Sequence, residues 1–250
     1  MTNTFETLEK FRRVKGAVAL ALIDPDLKND EFLHKMTHGV NQAGFDAILV
    51  GGSLIMDDGF EVRMEKIREM TSLPIIIFPG SSRQLSRTAD AVLFLSLHSG
   101  RNPQYLIGEQ VQSAPVIYNL GIEAIPTSYL LIDGGVKSSV QVMSNTNPLP
   151  SEKHDIILAH ALAGQYLGSK LVFLEAGSGA RHPVPESLVK VISQKVQIPV
   201  VAGGGIRDEQ TASKLVSAGA GYIVIGSLLE KCRDPFKLNS VVKSIHFLES

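Results

Sequence analysis

One cysteine, Cys232, stands in the 250 residues, so no disulfide can form within the chain. That fits a reducing compartment, and a lone thiol reads first as a small buried hydrophobe. Charge of one sign is also missing: the formal net charge is -1. A phosphate backbone recruits a strongly basic surface, so this balance argues against nucleic acid as the main partner. A small anionic ligand, which needs only a local pocket, stays open. Nowhere does the chain hold the roughly 18 uncharged apolar residues of a membrane span. Residues 1–13 are polar and charged, without the apolar core of a signal peptide. The expectation is a cytoplasmic protein with no membrane span.

With 44% hydrophobic and 20% charged residues, the composition is ordinary for a globular chain able to bury a sizeable core. Short runs rich in Val, Ile and Leu recur along its length. They are Ala17–Ile23, Asp46–Val50, Pro74–Phe78, Ala91–Leu95, Ser128–Ile132, Leu171–Leu174, Pro199–Ala202 and Tyr222–Ile225. Most lack polar alternation, as strands do when both faces of a parallel sheet are covered. Amphipathic stretches of helical length lie between them, clearest at Asn29–Ala43, Asp57–Thr71, Glu152–Leu167, Pro185–Lys195, Asp208–Ala218 and Pro235–Leu248. Eight strands alternating with helices point to an α/β fold, a (β/α)8 TIM barrel, with an open doubly wound sheet as the alternative. No internal boundary interrupts the pattern, so residues 1–250 read as a single barrel domain.

Two places break the rhythm. Only twelve residues, the mostly polar PGSSRQLSRTAD, separate Phe78 from Ala91, which predicts a loop or a single turn where the third helix should be. Gly135–Pro150 is rich in Ser, Asn and Pro and reads as a mobile lid or a surface excursion.

Barrel active sites form where strands end. Here those ends read Asp24-Pro25-Asp26, Gly51-Gly52-Ser53, Glu175 to Ala180 (EAGSGA), Gly203-Gly204-Gly205-Ile206 and Gly226-Ser227. Glycines let a backbone approach a ligand and leave N–H groups to bind phosphate. Each cluster alone can be a tight turn; three at consecutive strand ends point to a phosphate site. Asp24 and Asp26 can cap a turn, but two carboxylates beside an anion site make sense as holders of a hard divalent cation, with Ser53 adding a hydroxyl. Glu175 can accept a proton from a substrate hydroxyl, or merely cap a helix. Arg181-His182 and Arg207 can face the phosphate or pair at the surface. Asp57-Asp58-Gly59-Phe60-Glu61 has the look of an acidic diphosphate-binding pair, yet early acids also suit a helix start. His34 and His38 have i, i+4 spacing, but with no third ligand nearby a solvated helix face is the better reading.

Taken in order, these segments, together with Ser99–Pro103 (SGRNP), Tyr105 to Gly108 (YLIG) and Phe173 to Ala180 (FLEAGSGA), resemble the geranylgeranylglyceryl phosphate synthase family, in the branch found in archaea and Bacteroidetes-type bacteria. The resemblance implies a modified barrel with the third helix replaced by a loop. It implies a magnesium-dependent prenyltransferase joining sn-glycerol 1-phosphate to a polyprenyl diphosphate, geranylgeranyl in the family's name, with release of pyrophosphate. Asp24 and Ser53 would hold the magnesium. Phe173, Leu174, Glu175, Ala176, Gly177, Ser178, Gly179, Gly204, Gly205, Gly226 and Ser227 would surround glycerol phosphate. Glu175 and Asp24 would carry the catalysis. The family also implies a homo-oligomer built on dimers, up to hexamers, with passing contact to its lipid product. One departure stands out: Phe173 occupies a position where the family usually has Tyr. Two other classes stay open on the residues alone: a phosphate-binding barrel isomerase or lyase, and a non-catalytic ligand-binding or assembly protein. The first calls for a lysine or a second carboxylate as acid–base partner inside the barrel and needs no metal; no lysine stands at a predicted strand end, which counts against it.

Overall fold

The computed structural model describes residues 3–231 and 235–247, so Cys232 lies outside the described residues. Eight parallel strands pair in sequence order and close on themselves, β8 against β1. They are β1 (Val18–Ile23), β2 (Ala47–Val50), β3 (Ile75–Ile77), β4 (Ala91–Leu97), β5 (Glu123–Leu131), β6 (Leu171–Glu175), β7 (Val200–Gly203) and β8 (Tyr222–Ile225). The helices are α1 (Thr4–Lys15), α2 (Leu33–Ala43), α3 (Phe60–Met70), α4 (Glu109–Leu120), α5 (Ser139–Ser144), α6 (His154–Tyr166), α7 (Glu186–Lys195), α8 (Glu209–Ser217), α9 (Ser227–Lys231) and α10 (Pro235–Ile245). All eight sequence-predicted strands are present. Strand β5 starts five residues earlier than its apolar run, because Glu123 to Thr127 carry little of the signal.

Alternation along each strand makes two apolar layers. In β3, Ile76 faces the barrel interior while Ile75 and Ile77 face the helices. All three are fully buried, each contributing about 1.5–3 kcal/mol. This double coverage is why the strands read as unbroken apolar runs.

Helix α1 was not expected. Asn3 caps it by accepting the Glu6 N–H at 3.1 Å, and Leu8, Phe5 and Phe11 join the interior layer. Their three-residue spacing on a charged helix is easily lost among polar neighbours. Glu9 accepts the Tyr222 hydroxyl at 2.6 Å, so α1 plugs the end of the barrel opposite the C-terminal strand ends.

The loop expected in place of the third helix is present: no helix joins β3 to β4. Gln84, almost fully buried, does the pinning. Its Nε2 donates to Gly52 O at 2.8 Å and its Oε1 accepts from Gly80 N–H at 3.2 Å. Residues 135–150 are a wall rather than an excursion. They contain α5, and Leu149 exchanges hydrogen bonds with Leu131 and Asp133 of the β5 end. The SGRNP segment knits this wall on: the Ser99 hydroxyl accepts the Leu131 N–H at 2.9 Å, and Asn102 Nδ2 donates to Ser144 O at 2.8 Å.

Candidate active site at the C-terminal strand ends

A cavity of about 330 Å³ opens at the C-terminal ends of the strands. Asp24, Ser53, Glu175, Ser178, Gly204, Gly205, Gly226 and Ser227 all line it, although they come from five strand ends spread over two hundred residues. The barrel register accounts for this, since each strand end faces the same mouth.

Glu175 is the last residue of β6 and only 6% exposed. Alternation turns it and Phe173 inward and Leu174 outward. Opposite Glu175 in the ladder is Gly203. A Cβ at Gly203 would lie 2.5 Å from Glu175 Oε2, and one at Gly204 would lie 2.6 Å from Oε1. These two glycines therefore make room for the carboxylate, a task not visible in the glycine run itself. Glu175 Oε1 accepts the Gly177 N–H at 2.7 Å. Burial outweighs that bond and pushes the Glu175 carboxyl up to about 7.

The same bond takes Gly177 out of the set of free donors. The N–H groups of Ser178, Gly179, Gly204 and Gly205 donate to no other group among the described residues. Gly204 and Gly205 sit at φ +82 and +72, the left-handed turn that aims successive N–H groups into one concavity. Leu174 and Ala176 turn their side chains to the helix layer, and Phe173 is fully buried, so none of these side chains reaches the cavity. Arg207 donates to the carbonyls of Ala180 and Arg181, closing the β6 loop onto the β7 loop and away from a phosphate role.

The two acids after β1 separate. Asp26 caps the turn Leu27–Asn29, accepting the Lys28 N–H at 3.1 Å. Asp24 faces the cavity, with Oδ2 3.0 Å from Lys28 Nζ and Oδ1 buried without a partner. Gly52 leaves the space beside that oxygen open, since a Cβ there would lie 2.7 Å from it. A buried, orphaned carboxylate oxygen is costly unless something comes to it. No group of three or more His, Cys, Asp or Glu suited to a metal occurs among the described residues. A divalent ion at Asp24 and Ser53 would therefore take its remaining oxygens from substrate and water, the habit of magnesium.

Tyr129 was missed from sequence. It sits in β5 opposite Phe173, is 4% exposed and lines the cavity. Its ring meets Phe173 edge-on at 5.4 Å, and Phe78 stacks on Phe173 at 5.2 Å. The Tyr129 hydroxyl has no hydrogen-bond partner among the described residues. Burial, with Glu175 beside it, holds it protonated, its pKa pushed well above the usual phenol range. Only the register of β5 on β6 reveals this pairing.

Two other sequence features prove structural. Arg63 clamps Asp57 at 2.6 Å and Asp30 at 2.5 Å, so the acidic run before α3 is a helix start held by an ion pair. His34 and His38 lie exposed on α2, as a solvated face.

Known proteins are similar to this chain over most of its length. A geranylgeranylglyceryl phosphate synthase of Chitinophaga pinensis is 44% identical over 221 residues, 88% of each chain. One from Pyrococcus horikoshii is 40% identical, covering 88% of this chain and 86% of the relative. The crystal structure of (S)-3-O-geranylgeranylglyceryl phosphate synthase from Thermoplasma acidophilum, in complex with the substrate sn-glycerol-1-phosphate, superposes with a TM-score of 0.91 at 37% identity. That match covers 98% of this chain and 99% of the other. Residues 10–245 match the PcrB family, and the chain belongs to that family.

Proposed function

We propose that the chain joins the 3-hydroxyl of sn-glycerol 1-phosphate to C1 of a polyprenyl diphosphate, giving a prenylglyceryl phosphate ether and pyrophosphate. One observation carries the reading: a buried carboxylate beside a glycine cradle forms one end of a cavity whose other end is apolar. The cradle end holds Glu175 with the free N–H groups of Ser178, Gly204 and Gly205. At the apolar end, Val92 and Phe94 on the outer face of β4 meet Leu85 of the loop and Ile117 of α4. The missing helix leaves that strand face available to a hydrocarbon chain.

The residues then divide the work. The cradle fixes the phosphate, so the glycerol hydroxyl is presented to C1 rather than left to diffuse. Glu175 accepts the hydroxyl proton while the new C–O bond forms and the diphosphate departs with the electrons of the old one. A carboxyl near 7 is poised for that at neutral pH. Tyr129 supplies a hydroxyl to the glycerol end, offsetting the phenol that Phe173 lacks. Asp24 and Ser53 are oxygen donors fit for magnesium, which when bound supplies the positive charge a leaving diphosphate needs.

No helix among the described residues is long and apolar enough to cross a membrane. We place the enzyme in the cytoplasm, on the ground of its single cysteine. We also take it to be a dimer or larger: Ile107, Val111 and Tyr118 are exposed along α4 and the turn before it. Light scattering at 27.0 kDa would refute that assembly. For the activity, the test is incubation with sn-glycerol 1-phosphate, magnesium and prenyl diphosphates of graded length, followed by product mass. An ether of the expected mass is the outcome foreseen; recovery of unchanged substrates at every length refutes the reading.

A further inference from the structure

The cavity has the wrong charge for two anionic substrates. Among the described residues, Asp24, Asp26, Glu109, Glu175 and Glu230 line it, and Lys28 is the one cation. Five carboxyl groups against one ammonium repel phosphate rather than recruit it. A divalent ion would offset part of this. The rest falls to Lys28.

Local structure puts Lys28 where it is. The turn Leu27–Asn29 folds back on β1, with Asp26 accepting the Lys28 N–H and Asn29 Nδ2 donating to Asp24 O at 2.9 Å. That fold-back sets Lys28 Nζ 3.0 Å from Asp24 Oδ2. The second Asp24 oxygen is buried and has no hydrogen-bond partner, so the two oxygens of one carboxylate differ. The Lys28 side chain is 62% exposed on a flexible stem, and an exposed pair of this kind is weak. Asp26 and Glu230 also act on the ammonium and keep it at the cavity mouth.

We propose that Lys28 is an exchange cation: it neutralises Asp24 in the free enzyme and passes to the prenyl diphosphate when a divalent ion takes Asp24. Two cations on one carboxylate repel each other, so a divalent ion held by Asp24 would loosen the ammonium. The incoming diphosphate then offers the released lysine a denser negative charge. This inference rests on the diphosphate reading above, and adds to it a residue that both yields to the metal and grips the substrate.

The test compares wild type with Lys28→Met and Lys28→Arg, each checked for native circular dichroism. Mn2+ alone is titrated by electron paramagnetic resonance, and pyrophosphate with saturating Mg2+ by calorimetry. Lys28→Met should bind Mn2+ about three- to fivefold more tightly, because its competitor is gone. It should bind pyrophosphate about tenfold more weakly, and Lys28→Arg should restore most of that loss. Unchanged pyrophosphate affinity in Lys28→Met overturns the transfer. Unchanged or weaker Mn2+ binding overturns the competition and makes Lys28 a mere strut for Asp24. Wild-type protein that binds no pyrophosphate with Mg2+ overturns the diphosphate reading itself.

Discussion

Replacing Glu175 by Gln separates catalysis from burial in one variant. The carboxyl is held at about 7 in the fold against an ordinary value of 4.5. That gap corresponds to about 3 kcal/mol, at roughly 1.4 kcal/mol per unit. The folded protein holds this proton more tightly than the unfolded chain does. Stability is therefore lost as pH rises from about 4.5 to about 7, and the loss stays constant above. Gln keeps the shape and an oxygen to accept the Gly177 N–H, but it never ionises. Glu175→Gln should match wild-type stability below pH 4.5 and exceed it by about 3 kcal/mol above pH 7, a gap of about 6–12 °C in Tm for a chain of this size. Turnover should move the other way. Wild-type kcat/KM should rise with pH through about 7 and then level, whereas the variant should lose about a hundredfold and show no such limb. Thermal melts and pH-rate profiles on the same samples provide both readouts. A variant that turns over within a few-fold of wild type, with the same pH limb, removes Glu175 as the base. A stability gap that does not widen from pH 5 to pH 8 removes the buried charge as the cause of the shift.

Excess chelator should abolish activity and magnesium should restore it, while Asp24→Asn should cost about a hundredfold or more in rate; a fully active Asn variant would take Asp24 out of the mechanism. Gly226→Val should weaken glycerol phosphate binding with the fold kept, since a Cβ there first meets Leu22 at 3.4 Å, an ordinary contact. Calorimetry with unchanged affinity would contradict a phosphate approach at that strand end. Tyr129→Phe should raise KM for glycerol phosphate about three- to tenfold, with kcat little changed, as one lost hydrogen bond commonly does. An unaltered KM would leave the Tyr129 hydroxyl without a substrate role.

The barrel was legible in the sequence because its signal is local. Each strand buries both faces, so Ala47–Val50 or Ile75–Ile77 announces itself without reference to any other strand. The gap after Phe78 is too short for a helix and its strand connections, so the missing third helix was legible too. Glycines at strand ends marked the mouth, because a turn and a phosphate cradle both need backbone without a Cβ. What those glycines do individually was not legible. Gly203 and Gly204 clear space for Glu175, and Gly177 spends its N–H on that same carboxylate; both depend on the register of β6 against β7. Asp24 and Asp26 look alike in the sequence, and only the fold-back of the turn after β1 makes one a cap and leaves the other with an open oxygen. Tyr129 and Phe173 lie forty-four residues apart and meet because β5 and β6 are neighbours in the closed sheet. Local apolar pattern determines which residues become strands, whereas the meeting of side chains across strands is set by barrel closure, which no single stretch of sequence contains.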